Sequence, residues 1–236
     1  AWFHVPGAIT VLPSSVCASA VIAFELGYAE PVLFTLFLLA IAWYTNLYNF
    51  MDGSDGLAGG MAVIGFGAYA IAAQLSGAGP FAALCASMAA AAAGFLVFNF
   101  PPARLFMGDA GSVPLGFLAG ALGVVGWSRG FWPIWFPLLV FAPFVCDATL
   151  TLLRRALRRE RVWQAHRDHY YQRLVRMGLG HRGTALIEYA VMGGCAAIAL
   201  LASMPAPPAA IVSDMRMPQM DGAAFLTRAR TLAPKA

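Results

Sequence analysis

Long apolar stretches are the feature that most limits how this chain can fold. The hydrocarbon core of a bilayer is ~30 Å thick, so a helix needs ~20 mostly apolar residues to cross it. The composition agrees, because 60% of the 236 residues are hydrophobic and 11% are charged, whereas a soluble domain carries about 25% charged residues. The sequence therefore predicts an all-α fold, a polytopic membrane helical bundle with about seven transmembrane helices, at residues 8–24, 31–48, 57–75, 80–98, 112–128, 132–150 and 184–203.

Three polar segments interrupt this apolar pattern. The first polar segment, NLYNFMDGSDGLAGG (residues 46–60), has Asn46, Asn49, Asp52 and Asp55 spaced three apart. Residues at this spacing drift only slowly around a helix, so they can line one side of a helix end and its exit turn. Acidic groups near membrane depth are costly and indicate a functional site. The spacing therefore predicts a polar cluster.

The second and third polar segments carry complementary groups. The second, FNFPPARLFMGDAGS (residues 98–112), places Phe106, Gly108 and Asp109 at the entrance of a helix. The third, AHRDHYYQRLVRMGLGHR (residues 165–182), is rich in histidine and arginine. Glycines beside the aspartates let backbone N–H groups approach a ligand, and a helix N-terminus after each motif favours anions.

Helix counting places the three polar segments on one face of the membrane. Two predicted helices separate each segment from the next, and arginines gather on that face, while Arg129 alone lies on the other. Cytoplasmic loops collect Lys and Arg, so the segments should meet at the cytoplasmic surface. Topology alone is a sufficient explanation for most arginines of residues 154–161. For Asp147, a helix-end ion pair or a water-exposed carboxylate is favoured over a catalytic role.

The residue types suit phosphoryl chemistry at a membrane surface. Asp52, Asp55 and Asp109 offer oxygen ligands, which favour magnesium or manganese over zinc. Positive charge around His166 and His169 repels a metal and attracts phosphate, with a solvated basic loop as the open alternative. A non-catalytic transporter or lipid-phosphate-binding membrane protein is the alternative function. Transporters place polar groups near the bilayer midplane, whereas these segments follow helix ends.

The motifs NLYNFMDGSDGLAGG, RLFMGDAGSVPLG and HRDHYYQRL resemble those of the polyprenyl-phosphate N-acetylhexosamine-1-phosphate transferases of glycosyl transferase family 4. This superfamily includes phospho-N-acetylmuramoyl-pentapeptide transferase. The HRDHYYQRL form is most similar to the branch that initiates bacterial O-antigen and related surface glycans. The resemblance implies transfer of a sugar 1-phosphate from a UDP-N-acetylhexosamine to undecaprenyl phosphate, giving undecaprenyl-diphosphate sugar and UMP.

The same resemblance implies a role for particular residues and a setting for the protein. Asp109 would bind Mg²⁺, or Mn²⁺ in its place, and Phe106 would stack on uracil. The setting is the bacterial inner membrane, with the site facing the cytoplasm, membrane lipid as surroundings, no nucleic-acid partner and room for a homodimer. The implied catalytic residues are Asp52, Asp55, Asp109, His166, Arg167 and His169, the last three at the diphosphate, and the implied substrate-binding residues are Asn46, Asn49, Gly53, Phe106 and Gly108.

Two features depart from this family pattern. The family carries an Asp-Asp pair on an earlier loop, and its place lies upstream of Ala1, so we expect the transferase domain of residues 1–203 to be N-terminally incomplete and inactive without that segment. Residues 204–236 contain a Pro-rich break and IVSDMRMPQMDG, which resembles the phosphoacceptor segment of response-regulator receiver domains. A fragment this short cannot build a receiver core, so we expect no folded signalling domain there.

Overall fold

The computed structural model describes residues 31–160 and 168–204. Helices and short connections make up these residues, and no β-strand occurs among them. In chain order the helices are α1 (Pro31–Met51), α2 (Leu57–Leu75), α3 (Gly79–Asn99), α4 (Asp109–Ser128), α5 (Trp135–Val140), α6 (Ala142–Leu157), α7 (Tyr170–Leu174), a π-helical turn (Val175–Leu179) and α8 (Gly180–Ser203).

Five of these segments are long and apolar enough to cross a membrane, namely α1 to α4 and the stretch Tyr170–Ser203 that ends in α8. This finding confirms the predicted all-α, polytopic membrane bundle. The predicted helix 8–24 and the receiver-like tail lie outside the described residues. The predicted helices that overlap an observed span are 31–48, 57–75, 80–98, 112–128 and 184–203.

The predicted helix 132–150 is instead two helices, α5 and α6, which meet at Phe141. Pro143 lies in the first turn of α6, a position that tolerates proline because the N–H there has no helical partner, but a preceding helix cannot continue through it. Beyond the predicted end, α6 continues to Leu157 with arginines in its last turn, where the helix dipole favours cations. The described part of the expected loop 151–183 is thus largely helical.

Glycines of α4 bring its backbone against α1. A Cβ atom added at Gly116 would lie 2.7 Å from the carbonyl oxygen of Tyr44, and one at Gly120 would lie 3.1 Å from Cα of Ile41. Both distances are shorter than ordinary van der Waals contact, so larger residues would push the helices apart. The small-xxx-small spacing of these two glycines therefore serves helix packing.

The central helix of the described bundle is α2, which packs against α3, α4 and α8. In its most apolar window 67% is buried, against 17% for α3. At Gly60, the Tyr189 ring of α8 occupies the space that a side chain would need. Because α3 is apolar and largely exposed, we infer that its outer faces contact lipid.

Aromatic rings fill the space between α1, α2 and the α5–α6 break. The Phe141 ring lies 5.7 Å from the ring centroids of both Tyr44 and Tyr69, in edge-on geometry. The buried Tyr48 hydroxyl donates to the carbonyl oxygen of Ala58 at 2.7 Å, because a buried phenol needs a hydrogen-bond partner. This core joins the end of α1 to the start of α2 and so supports the first polar segment.

Candidate active site

The three polar segments meet at one end of the helical bundle. The backbone N–H of Ala103 donates to Oδ2 of Asp55 at 3.0 Å, which joins the first and second segments. The Ser54 hydroxyl lies 2.9 Å from Nδ1 of His181, which joins the first and third. These contacts confirm that the polar segments share one face, as helix counting predicted.

Asn99, at the end of α3, ties the first and second segments together, and the sequence-based prediction missed it. Its side chain is buried, with Oδ1 accepting the N–H of Gly56 at 3.0 Å and Nδ2 donating to the carbonyl oxygen of Leu105 at 2.8 Å. Gly56 has a φ of 78°, where glycine is favoured, and its carbonyl accepts the Tyr189 hydroxyl at 2.7 Å. An amide at the end of an apolar helix was the available signal, because a buried amide needs partners for both its groups.

The two amides predicted in the first segment are placed differently. Oδ1 of Asn49 accepts the Ser112 hydroxyl at 2.8 Å, which links α1 to the first turn of α4. Nδ2 of Asn46 donates to the carbonyl oxygen of Ala42, in its own helix, at 2.9 Å. Asn49 is therefore part of the contact between the polar segments, whereas substrate binding by Asn46 stays a prediction.

Asp52 and Asp109 lie close enough for their charges to interact. Burial raises the pKa of Asp52 to about 7, a backbone hydrogen bond from Gly108 opposes the shift, and the charge of Asp109 adds to it. Asp109 is exposed in the first turn of α4, where the helix dipole favours a negative charge. A carboxylate pair of this kind is stabilised by a neighbouring cation.

Asp55 is separated from this pair by its hydrogen bond with Ala103. Across residues 31–160 and 168–204, no three His, Cys, Asp or Glu side chains are grouped to hold a metal ion, so the expected cluster of three carboxylates is not formed there. Two carboxylates still fit Mg²⁺, because this ion keeps several waters and is usually held by one or two carboxylates together with substrate phosphates.

The two predicted glycines have different surroundings. A Cβ atom at Gly53 would overlap the Tyr171 hydroxyl, so this glycine makes room for the third polar segment. At Gly108, φ is 60° and no atom lies within 4 Å of an added Cβ. The backbone next to Asp109 is therefore open to a ligand, while Gly53 is covered by Tyr171.

Phe106 lies beside this open backbone and is 73% exposed. Its ring lines a groove of about 390 Å³ between α3 and α4, together with Met88, Phe95 and Leu115. The ring is accessible to a planar ligand. Its stacking on uracil stays a prediction.

His169 and Asp147 form a buried pair under the third segment. Nδ1 of His169 lies 3.0 Å from Oδ1 of Asp147, and the two residues are 3% and 6% exposed. The N–H groups of Tyr170 and Tyr171 also donate to Asp147, each at 3.0 Å, so this carboxylate caps the start of α7. The helix-end pair expected of Asp147 is thus formed, with His169 as its partner and with the carboxylate buried.

The His169 ring also stacks with the rings of Phe50 and Tyr171, at 6.2 and 5.8 Å between centroids. The Tyr171 hydroxyl donates to the carbonyl oxygen of Phe50 at 3.2 Å, which places the third segment beside the end of α1. The structure thus gives His169 a positioning role, and its contact with a diphosphate stays a prediction. His166 and Arg167 lie outside the described residues.

Arginines at the same end add positive charge. The guanidinium carbons of Arg104 and Arg182 lie 6.0 Å from the ring centroids of Phe98 and Phe100. Guanidinium groups bind phosphate well because their donors match its oxygens. Two acidic groups, an open backbone and surrounding arginines suit a phosphorylated ligand that carries a divalent cation.

Known proteins share these segments. Residues 4–127 match the family model described as Glycosyl transferase family 4. The probable undecaprenyl-phosphate N-acetylglucosaminyl 1-phosphate transferase of Bacillus subtilis (strain 168) is 34% identical over 170 residues, which cover 71% of this chain and 47% of that protein. The phospho-N-acetylmuramoyl-pentapeptide-transferase of Geobacillus thermodenitrificans (strain NG80-2) is 46% identical over 103 residues, 44% of this chain and 31% of that protein.

The chain spans about half the length of the first of these relatives and less of the second. The family match covers just over half of the 236 residues and includes the first and second polar segments, whose side chains form most of the candidate site. This chain belongs to glycosyl transferase family 4.

Proposed function

We propose that the full-length protein transfers a sugar 1-phosphate of the N-acetylhexosamine type from a UDP-sugar to undecaprenyl phosphate. The observation that carries the proposal is the approach of Asp52 and Asp109 beside the open backbone at Gly108. The names of the two relatives, an undecaprenyl-phosphate sugar-1-phosphate transferase and a phospho-sugar transferase, support the same reaction class.

In this reaction an oxygen of the lipid phosphate forms a bond to the β-phosphorus of the UDP-sugar. The bond from that phosphorus to the UMP oxygen breaks, and UMP leaves with the electron pair. The lipid phosphate is already an anion near neutral pH, so little proton transfer is required. The main barrier is the approach of two negative reactants, which the protein must neutralise and align.

Mg²⁺, or Mn²⁺ in its place, is the proposed cofactor, held by Asp109 with Asp52 beside it. When bound, the ion neutralises diphosphate charge and orients the phosphate oxygens. Asp55 holds the second polar segment through Ala103, and Asn49 holds the start of α4 through Ser112. These bonds keep the acidic pair in place.

The remaining roles follow the family pattern. Phe106 stacks on uracil, Gly53 and Gly108 border the nucleotide, and His166 and Arg167 contact the diphosphate. His169 acts from behind, because its bond to Asp147 fixes the start of α7.

We further propose that the protein lies in the bacterial inner membrane with this site facing the cytoplasm. The support is the arginine distribution, since Arg129 follows α4 at the opposite end from the polar segments, and cytoplasmic loops collect positive charge. The HRDHYYQRL motif favours a role in initiating O-antigen or a related cell-surface glycan. Membrane lipid and a second copy of the chain are the proposed partners, and nucleic acid is not among them.

The test is UMP release from a panel of UDP-N-acetylhexosamines by the full-length protein in micelles containing undecaprenyl phosphate. Asp109→Asn should lower magnesium-dependent turnover by at least about a hundredfold, because removal of one hard ligand weakens the ion that holds the diphosphate. Glu160→Gln is the control, since this exposed acid contacts Arg155 at the end of α6.

Near-normal turnover of Asp109→Asn at saturating magnesium would reject the assignment of Asp109. Tight binding of undecaprenyl phosphate without UMP release from any UDP-sugar would instead favour the lipid-phosphate-binding alternative.

A further inference from the structure

Two arginines from different helices meet on one tyrosine ring. The guanidinium carbon of Arg154, in α6, lies 5.2 Å from the ring centroid of Tyr170, and that of Arg173, in α7, lies 5.4 Å from it. The backbone of Tyr170 is anchored to the buried Asp147 by a 3.0 Å hydrogen bond. The ring therefore has a fixed base and gathers two positive charges through cation–π contacts.

Neither arginine of this pair has a carboxylate partner among the described residues. The nearby acids, Glu160 and Asp168, both pair with Arg155, at 3.2 and 2.6 Å. Residues 161–167, between these acids, contain no Asp or Glu. The Nε group of Arg173 donates to the backbone carbonyl of Asp168 at 2.9 Å, which orients the guanidinium without neutralising it. The pair thus keeps its charge available for an anion.

Apolar side chains border this charge. Leu150, Leu153 and Leu157 of α6 are 44%, 52% and 76% exposed. Leu150 and Leu157 lie four residues before and three residues after Arg154, so they share its helix face. A guanidinium beside exposed leucines at a helix end is typical of the boundary between lipid and water. A ligand with an anionic head and apolar chains fits this surface better than a free phosphate ion.

We propose that Arg154 and Arg173, held on the ring of Tyr170, form a binding site for the phosphate of an anionic membrane lipid. The guanidinium groups bind the phosphate oxygens, and the lipid chains lie along Leu150 and its exposed neighbours. A bilayer phospholipid and the polyprenyl-phosphate acceptor present the same phosphate chemistry, and the experiment separates them. The site uses neither proposed magnesium ligand, so it stands independently of the transferase reaction.

The experiment measures lipid binding by the 236-residue chain in phosphatidylcholine nanodiscs. Three ligands are titrated separately: phosphatidylglycerol, undecaprenyl phosphate and inorganic phosphate. Arg154→Gln and Arg173→Gln should each weaken lipid binding about ten- to a hundredfold, the effect of losing one charge-assisted contact. Arg158→Gln removes the same charge one turn later in the chain and should leave the affinity within about twofold of the wild type.

Two variants of Tyr170 separate the role of the ring from a general loss of folding. Tyr170→Phe keeps the ring and should bind lipid as the wild type does, whereas Tyr170→Leu should weaken binding about as much as Arg154→Gln. Asp109→Asn should leave lipid binding unchanged, so failure of the proposed reaction is distinguishable from failure of this site.

A tenfold preference for undecaprenyl phosphate over phosphatidylglycerol would assign the site to the acceptor lipid, and equal or tighter binding of phosphatidylglycerol would assign it to the bilayer. Either result supports the site. Equal losses for Arg154→Gln and Arg158→Gln would show diffuse attraction only and overturn the proposal. Inorganic phosphate binding as tight as either lipid would also overturn it.

Discussion

Replacement of Asn99 by alanine is expected to loosen the candidate site from its frame. The amide of Asn99 joins the first and second polar segments through Gly56 and Leu105. Asn99→Ala would leave the N–H of one residue and the carbonyl of the other without partners in a buried place. The turn that carries Asp55 and the connection that leads to Asp109 would then lose their shared anchor.

The cost follows from these two bonds, at 3.0 and 2.8 Å. Each buried backbone group left unsatisfied costs about 1–3 kcal/mol, and partial relaxation toward solvent recovers some of it. We expect a loss of about 3 kcal/mol in unfolding free energy. For a chain of this size, 1 kcal/mol shifts Tm by roughly 2–4 °C, so the apparent Tm in detergent should fall by about 6–12 °C.

Thermal unfolding of purified variants in one detergent is the assay, with Ser87→Ala as the control. Ser87 is exposed on the same helix and bonds only to its own backbone, at Ala83, so its loss should be nearly silent. Asn99→Asp adds a sharper test. Its carboxyl group can donate to the Leu105 carbonyl only when protonated, so its deficit in Tm should shrink as pH falls from 8 to 5. A Tm for Asn99→Ala within 2 °C of the wild type would refute the reasoning.

Three further outcomes are expected. Gly116→Ala should lower Tm clearly because its Cβ would lie 2.7 Å from a backbone oxygen of α1, whereas Gly67→Ala, with no atom within 4 Å, should be neutral or stabilising in the same melting assay. In magnesium-free buffer, Asp52→Asn should raise Tm at pH 8 and lose this advantage near pH 4, because the pKa of Asp52, raised to about 7, makes stability fall as pH rises from about 4 through 7; the full effect is at most about 4 kcal/mol, and an equal Tm at pH 8 would contradict it. Asp147→Asn should weaken hydrogen-exchange protection at the start of α7, since the carboxylate holds His169 and two backbone N–H groups; unchanged protection there would count against the capping role.

Helix positions were predictable because a membrane span needs a long apolar run, and such runs leave a direct signal in sequence. The break at Phe141 was less visible, since residues 132–150 are apolar throughout and only the effect of Pro143 on the preceding turn divides them. Close helix approach at Gly116 was predictable from glycine spacing, because no other residue allows backbones to touch.

The meeting of the polar segments was also predictable, since helix number alone decides which ends share a face. The partners within the cluster were not. Asp52 and Asp55 look equivalent in the sequence, but one approaches Asp109 and the other accepts the Ala103 N–H. Such choices depend on side-chain directions over a few ångströms. The same holds for His169, whose buried pairing with Asp147 crosses 22 residues of chain.

The Gly56 peptide is held from both ends, its N–H by Asn99 of α3 and its carbonyl by Tyr189 of α8. The turn that carries Asp55 therefore cannot swing outward unless two long helices separate. On the opposite side, the Phe106 ring is largely free of neighbours, being 73% exposed. One wall of the site is thus stiff and the other carries a movable ring. We therefore expect a nucleotide to enter and leave by rotation of that ring, at rates that depend little on the thickness of the surrounding bilayer.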